Sequence, residues 1–136
     1  MARKIREVMT GSPTSVSPEL DLVTVARAMR DEEIGAVLVI DGDDLLGLVT
    51  DRDLVVRGLA AGLDPRQARV GGIASRATAT VGPDDSLDKA AQIMRERSVR
   101  RLPVIEDGRP VGIVSSRDLP DHERAESSRS KSSSVL

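Results

Sequence analysis

No Phe, Tyr or Trp occurs anywhere in this chain, and no cysteine. Proteins that hold single-stranded nucleic acid stack bases on aromatic rings, so that class loses its main device here. Without cysteine there is no disulfide, no thiolate nucleophile and no thiolate metal site. The only histidine is His122, which reads as a solvated residue and is too little for a Ser-His-Asp triad or a multi-His metal centre. No apolar run approaches the about 18 residues that a membrane span needs, and no apolar stretch of signal-peptide type follows Met1-Ala2-Arg3-Lys4. A cytoplasmic protein is expected. Twenty basic residues against 22 acidic ones leave a formal net charge of −2. That balance steers the chain toward neither nucleic acid nor an anionic membrane. A core without aromatics must come from Val, Leu, Ile, Met and Ala, which are plentiful.

What is present is one unit written twice. Shifted by 65 positions, residues 14–54 fall on residues 79–119 without a gap, with thirteen of the 41 pairs identical. They include Val16/Val81, Pro18/Pro83, Leu22/Leu87, Met29/Met94, Val39/Val104, Gly47/Gly112, Arg52/Arg117 and Asp53/Asp118. Ordinary residue frequencies would give roughly two or three. Ile5/Val70 and Val8/Ile73 carry the register upstream. Self-similarity of this kind means that a supersecondary unit too small to bury its own core has been duplicated.

Each copy carries its own punctuation. Pro13-Thr14-Ser15-Val16 is a short extended entry, since proline and β-branched residues disfavour helix there. Ser17, Pro18 and the N-cap Asp21 start a helix. Leu22, Val25, Ala26 and Met29 recur on its apolar face, and Gly35 is expected to stop it. Residues 36–40 form a continuously apolar, buried strand. Asp41-Gly42-Asp43-Asp44 makes a hairpin turn, residues 45–49 return, and a second helix runs from Thr50 to about Ala61. The second copy repeats the pattern over 78–81, 86–97, 102–106 and 110–114, with a helix after Ser115. Pro120 falls just inside that last helix and should kink or shorten it. The order per copy is β-α-β-β-α. The fold class is α+β, sandwich-like, with two repeats packed sheet to sheet about a pseudo-two-fold axis. Residues 1–65 make the first repeat with its lead-in and 66–124 the second. The Ser-rich stretch 125–136 cannot bury enough apolar area to become ordered.

Both return strands end alike, as Gly47-Leu48-Val49-Thr50-Asp51-Arg52-Asp53 and Gly112-Ile113-Val114-Ser115-Ser116-Arg117-Asp118. Each puts a hydroxyl at a helix start and a carboxylate three residues on. A capping box would explain that spacing, although Glu or Gln is more usual at its last position. The same geometry suits a phosphorylated ribose: amides and the helix dipole for phosphate, Thr50 or Ser115 for one more bond, and Asp53 or Asp118 for the ribose hydroxyls. The glycine ahead of each apolar pair lets a backbone or a base come close. Spacing alone does not choose between cap and site.

Found twice at a fixed offset, this motif, together with Arg100-Arg101-Leu102-Pro103-Val104-Ile105 and with Val8-Met9 at the entrance, resembles the CBS domain. Over about residues 5–124 the chain looks like a tandem CBS pair, or Bateman module. The run Asp51-Arg52-Asp53-Leu54-Val55-Val56-Arg57-Gly58 is similar to stand-alone actinobacterial CBS pairs of the hypoxic-response type. The resemblance implies regulatory binding of AMP, ADP, ATP, NAD or S-adenosylmethionine between the sheets. Thr50 and Ser115 would then meet phosphate, and Asp53 and Asp118 ribose. The adenine walls would be Thr14, Ser15, Val16, Ala36 and Val37 in one half, and Thr80, Val81, Arg101, Leu102 and Pro103 in the other. Arg100 and Arg101 would neutralise phosphate. Leu38 stands where the second copy has Pro103, so the halves are not expected to be equivalent. A homodimer acting on a separate protein effector is expected, with no partner nucleic acid, no membrane, no obligatory cofactor and no metal. Enzymatic activity is not expected, because no general acid-base or nucleophilic constellation is present. A catalytic barrel of about 250 residues, of the kind attached to CBS repeats in IMP dehydrogenase, does not fit in 136 residues. The rival reading is a ligand-free interaction module whose two motifs are helix caps only.

Overall fold

The computed structural model describes residues 3–77 and 79–120. His122 and the Ser-rich stretch 125–136 lie outside the described residues. The chain divides into two compact units: Thr14–Ala77 is one, and the lead-in up to Pro13 joins the stretch from Thr78 onward as the other.

In the Thr14–Ala77 unit, α1 (Leu22–Glu32) lies between the short β2 (Ser15–Val16) and the hairpin of β3 (Ala36–Asp41) and β4 (Asp44–Thr50). The sheet is completed by β5 (Ser75–Arg76), in the order β2-β3-β4-β5. β2 runs parallel to β3, and the other pairs are antiparallel. Asp21 caps α1 by accepting from the Thr24 amide at 3.2 Å, which satisfies one of the orphan donors of the first turn. The helix ends at Glu32, within one residue of the expected end at Glu33, but it is Glu33 and not Gly35 that turns the chain out. Glu33 takes a left-handed conformation (φ 56°, ψ 46°), and the Ile34 amide reaches back to the Met29 carbonyl at 3.0 Å. That six-to-one bond is a Schellman closure, which satisfies a terminal carbonyl and holds the strained residue in place. Leu22, Val25 and Met29 pack with Val37, Val39, Val49, Val70 and Ile73 to form the core. Ala26, expected on this face, is exposed.

The second helix departs further from expectation. α2 (Asp51–Asp53) is α-helical only for its first turn and then widens into a π-helical stretch, Leu54–Leu59. The Ala60 amide bonds Val55 five residues back. Gly58 permits the close approach, since a Cβ there would stand 2.9 Å from Leu22 Cδ1. Val55, Val56 and Leu59 are left exposed.

The other unit repeats this plan in α3 (Leu87–Arg97) and in β6 (Arg101–Glu106) and β7 (Arg109–Ser115), with β1 (Thr10–Gly11) added in the order β1-β7-β6. Its core joins Ile5, Val81, Leu87, Ala91, Met94, Leu102, Val104, Val114 and Leu119, six of the nine being repeat partners of core residues named above. Of the expected first strand over 78–81, Thr78 lies outside the described residues, and the described part forms one bridge, Val81 with Val104. In the first copy the Leu38 amide donates to the Thr14 carbonyl at 2.9 Å. Pro103 stands at the equivalent place and has no N–H to give, so the ladder cannot extend toward residue 79. After β7 a 3-10 turn forms, Ser116–Asp118, and the rest of the helix expected after Ser115 lies, from residue 121, outside the described residues. Leu119 is extended (φ −84°, ψ 149°), as the residue before a proline must usually be.

The lead-ins are exchanged. Ile5–Glu7 and Val70–Gly72 form equivalent 3-10 turns, and each docks on the copy it does not belong to in sequence. The Ile5 amide donates to Asp85 (2.9 Å) and the Val70 amide to Leu20 (2.8 Å). Thus β1 pairs with β7 and β5 with β4, again at repeat-equivalent positions.

Candidate functional site

The hydroxyl and carboxylate of each motif stand together. In the first copy the Thr50 amide donates to Asp53 Oδ2 at 2.9 Å, and the Asp53 amide donates to Thr50 Oγ1 at 3.1 Å. In the second copy Asp118 Oδ2 accepts from the Ser115 amide at 2.8 Å and from Ser115 Oγ at 3.2 Å. All four residues are half-buried. Both motifs therefore act as caps, the Asp side chain replacing the usual Glu. In each, Oδ2 takes the cap bonds, while Oδ1 has no hydrogen bond among the described residues. The cap accordingly orients the carboxylate without using up its accepting capacity.

Strand pairing sorts the remaining predicted residues by face. Ala36 lies opposite Thr50, and Leu38 opposite Leu48. Arg101 lies opposite Ser115, and Pro103 opposite Ile113. Directly opposed residues share a face of the sheet. Ser15, beside Leu38 in the parallel register, belongs to that face too, and Thr80 is its repeat counterpart. Val37, Val81 and Leu102 point the other way, into the cores, and Val16 packs against its core from the edge. These four leave only backbone groups for a ligand. The Thr14 hydroxyl donates to Glu32 Oε1 at 2.5 Å, an acidic neighbour that the sequence pattern did not reveal. Thr50, Ala36 and Ser15 thus lie on one face in the first copy, and Ser115, Arg101 and Pro103 on one face in the second, where Thr80 has no strand pairing.

The motif glycines have a structural reason. A Cβ on Gly47 would stand 2.0 Å from the Ser75 carbonyl oxygen, and one on Gly112 would stand 2.6 Å from Met9 Sδ and 2.9 Å from the Thr10 carbonyl oxygen. Of the two approaches that these glycines allow, the backbone of the exchanged lead-in is the one that is made. Arg57 adds to that docking by donating to the Ile73 carbonyl at 3.0 Å and to Ser75 Oγ at 3.2 Å.

The family model of the CBS domain matches residues 5–58 and again residues 70–122. The chain belongs to the CBS-domain family. It is 41% identical over 118 residues to hypoxic response protein 1 of Mycobacterium tuberculosis, covering 86% of this chain and 82% of that one. CBS domain-containing protein YhcV of Bacillus subtilis is 34% identical over 115 residues, covering 85% and 81%. Among solved structures, that of hypoxic response protein I with two coordinated zinc ions superposes with a TM-score of 0.74 at 40% identity, covering 87% of this chain and all of the other. The CBS protein TA0289 of Thermoplasma acidophilum shares the fold, with a TM-score of 0.83 at 18% identity. The CBS pair also matches 23% of the length of an inosine-5'-monophosphate dehydrogenase from Nitrosopumilus maritimus, at 27% identity. The zinc belongs to the mycobacterial relative. This CBS pair has no cysteine and one histidine, and no group of three or more His, Asp or Glu residues suited to a metal occurs among the described residues. None of the helices among those residues is long and apolar enough to cross a membrane.

Proposed function

We propose that this CBS pair is a regulatory module of the cytoplasm that binds an adenosine-containing nucleotide (AMP, ADP, ATP, NAD or S-adenosylmethionine) and passes the signal to a separate effector protein. One observation carries the reading. A half-buried hydroxyl and a carboxylate that is fixed but not saturated recur at the same strand end in both copies. A carboxylate held with one oxygen open suits the paired hydroxyls of a ribose, and the neighbouring Thr or Ser suits a phosphate. Binding would regulate only if the ligand favoured one of two arrangements of the protein.

The caps give the rival reading an observation of its own, because cap bonds alone justify Asp53 and Asp118. Calorimetric titration with AMP, ATP, NAD and S-adenosylmethionine separates the two. Saturable binding by the wild type, lost in Asp53→Ala and Asp118→Ala while melting falls by only the about 1 kcal/mol that a cap is worth, supports the nucleotide reading. Loss of stability in both variants, with nothing bound by the wild type, leaves the caps as the whole explanation. A homodimer belongs to the same proposal. It draws on Val55 (56% exposed), Val56 (47%) and Leu59 (60%), an apolar face of the kind that marks an interface. Light scattering should give a dimer mass, and Val55→Lys with Leu59→Lys should reduce it to the monomer.

A further inference from the structure

The two copies repeat their carboxylate and hydroxyl but reverse the charge around them. Beside Thr50 the cross-strand neighbour is Ala36, and the Asp51 amide bonds the Gly35 carbonyl at 3.0 Å. Beside Ser115 the neighbour is Arg101, and the Ser116 amide bonds the Arg100 carbonyl at 2.8 Å. Within this shared geometry Gly35 and Ala36 become Arg100 and Arg101, Glu32 becomes Arg97, Glu33 becomes Ser98 and Asp51 becomes Ser116. Over these equivalent positions the first copy carries three acidic residues and the second three arginines. Glu32 lies at the strand entry through its bond to Thr14. Ala79, the counterpart of Thr14, has no hydroxyl.

Arg101 gives the contrast its direction. It is half-buried, on the same face as Ser115 and next to the apolar Pro103 and Ile113. Neither Arg100 nor Arg101 makes an ion pair or a side-chain hydrogen bond among the described residues. A cation partly withdrawn from water without a counter-charge costs free energy that an anion would recover.

We infer that the two motifs take ligands of different charge: the Ser115–Asp118 half holds the nucleotide that carries a di- or triphosphate, and the Thr50–Asp53 half rejects it. The inference rests on the nucleotide reading above and adds to it one polyphosphate site per chain, with Arg100 and Arg101 as the specificity determinants.

Titration calorimetry with ATP and adenosine tests it, with a melting curve to show that each variant is folded. The wild type should bind one ATP per chain. Arg101→Ala should weaken ATP at least tenfold and adenosine less than threefold, and Arg101→Lys should recover most of the ATP affinity. Transplanting the second copy's charges into the first, as Glu32→Arg with Ala36→Arg and Asp51→Ser, should raise the ATP stoichiometry from one to two. Two equal ATP sites in the wild type, equal losses of ATP and adenosine in Arg101→Ala, or a Lys variant as weak as the Ala variant would each overturn the charge assignment while leaving the nucleotide reading intact. A wild type that binds neither ligand, nor AMP, NAD or S-adenosylmethionine, would remove the nucleotide reading itself and the assignment with it.

Discussion

The two units are built from one repeat, and they differ where a single residue changes what the backbone can do. In the first copy Leu38 donates to Thr14 and a parallel strand forms. In the second, Pro103 cannot donate and the described part of the strand forms one bridge. In the first copy the chain beyond Asp53 continues as a π-helix with Gly58 against Leu22. In the second, a 3-10 turn over Ser116–Asp118 is followed by an extended Leu119 before Pro120. The cores, by contrast, draw mostly on repeat-equivalent apolar positions. Side-chain burial tolerates swaps such as Val37 for Leu102, whereas a missing N–H cannot be replaced. The comparison teaches that divergence between the copies has gone through backbone hydrogen bonding and surface charge, with the apolar pattern kept.

The strongest way to break the equivalence is at the motif glycines. Gly47→Ala would drive a Cβ into the Ser75 carbonyl, a backbone atom that can yield only if β5 leaves β4. A cost of about 3–4 kcal/mol follows, at the upper end for overpacking, and a purified variant should melt far below the wild type. Gly112→Ala meets first the flexible end of Met9 and only then the Thr10 carbonyl, so about 1–2 kcal/mol is expected. Denaturant midpoints for the two variants compare them directly. Equal losses would show that the lead-in of the second copy is held as loosely as Met9.

The next largest effect comes from exchanging the residues that set the strand difference. Leu38→Pro removes the bond to Thr14, worth about 1 kcal/mol, and trims a fully buried side chain, for about 2–4 kcal/mol in all. The reverse change, Pro103→Leu, restores a donor opposite Ala79 and should alter stability by about 1 kcal/mol at most, in either direction. Amide exchange would sharpen the result. Residues 14–16 should lose protection in Leu38→Pro, and residues 79–81 should gain it in Pro103→Leu.

Much of this was legible in the sequence, and the boundary of legibility is physical. The 65-residue offset, the helix beginning at Asp21, the hairpin at Gly42 and the pairing of Thr50 with Asp53 all follow from residues close in sequence. Their spacing encodes period, cap and turn. The extended Leu119 before Pro120 was readable for the same reason. The exchange of lead-ins was not, because Ile5/Val70 shows only that both lead-ins are alike and cannot tell which sheet receives each. The π-helix was missed because Leu54, Val55, Val56 and Leu59 suit a helix of either pitch. The end of the first helix was legible to within one residue, but the left-handed Glu33 was not, because glutamate is an uncommon choice there with a glycine two residues away. On the site, spacing named the hydroxyls and carboxylates. Alternation along the strand then sends Val37 and Leu102 to the core, a division that depends on which face the helix covers.

A smaller effect tests the helix ends. Glu33 and Ser98 hold the same left-handed conformation, both at φ 56°, where a side chain is penalised and glycine is not. Glu33→Gly and Ser98→Gly should each stabilise the fold by about 0.5–1 kcal/mol, read as a rise in Tm. The two gains should agree, because Ile34 and Val99 close their helices with the same 3.0 Å bond. A loss in either variant would mean that the side chain makes a contact worth more than the strain it bears.

The helix starts differ in chemistry, and pH separates them. The bond from the Thr24 hydroxyl (2.6 Å), helped by the Thr24 amide, holds the Asp21 carboxyl below its ordinary value. At the equivalent cap of α3, Ser86 Oγ accepts from the Lys89 amide at 3.1 Å and has nothing to titrate. A carboxylate whose pKa is lower in the folded state than in the unfolded one stabilises the fold above its unfolded value. That stability is lost as pH falls through the folded one. Asp21→Ser should therefore lower the urea midpoint at pH 7, and the gap to the wild type should close as pH falls through the lowered folded-state value of Asp21 and its carboxylate is protonated. The wild type keeps an acid-sensitive term in the other unit as well. Asp85, held low chiefly by the Gly82 amide and then by Lys89, has the untitratable Leu20 as its counterpart. Adding Asp85→Asn to Asp21→Ser should flatten the acid limb further. A gap that stays constant from neutral to acid pH would show that the cap of α1 works through hydrogen-bond geometry alone, as the cap of α3 does.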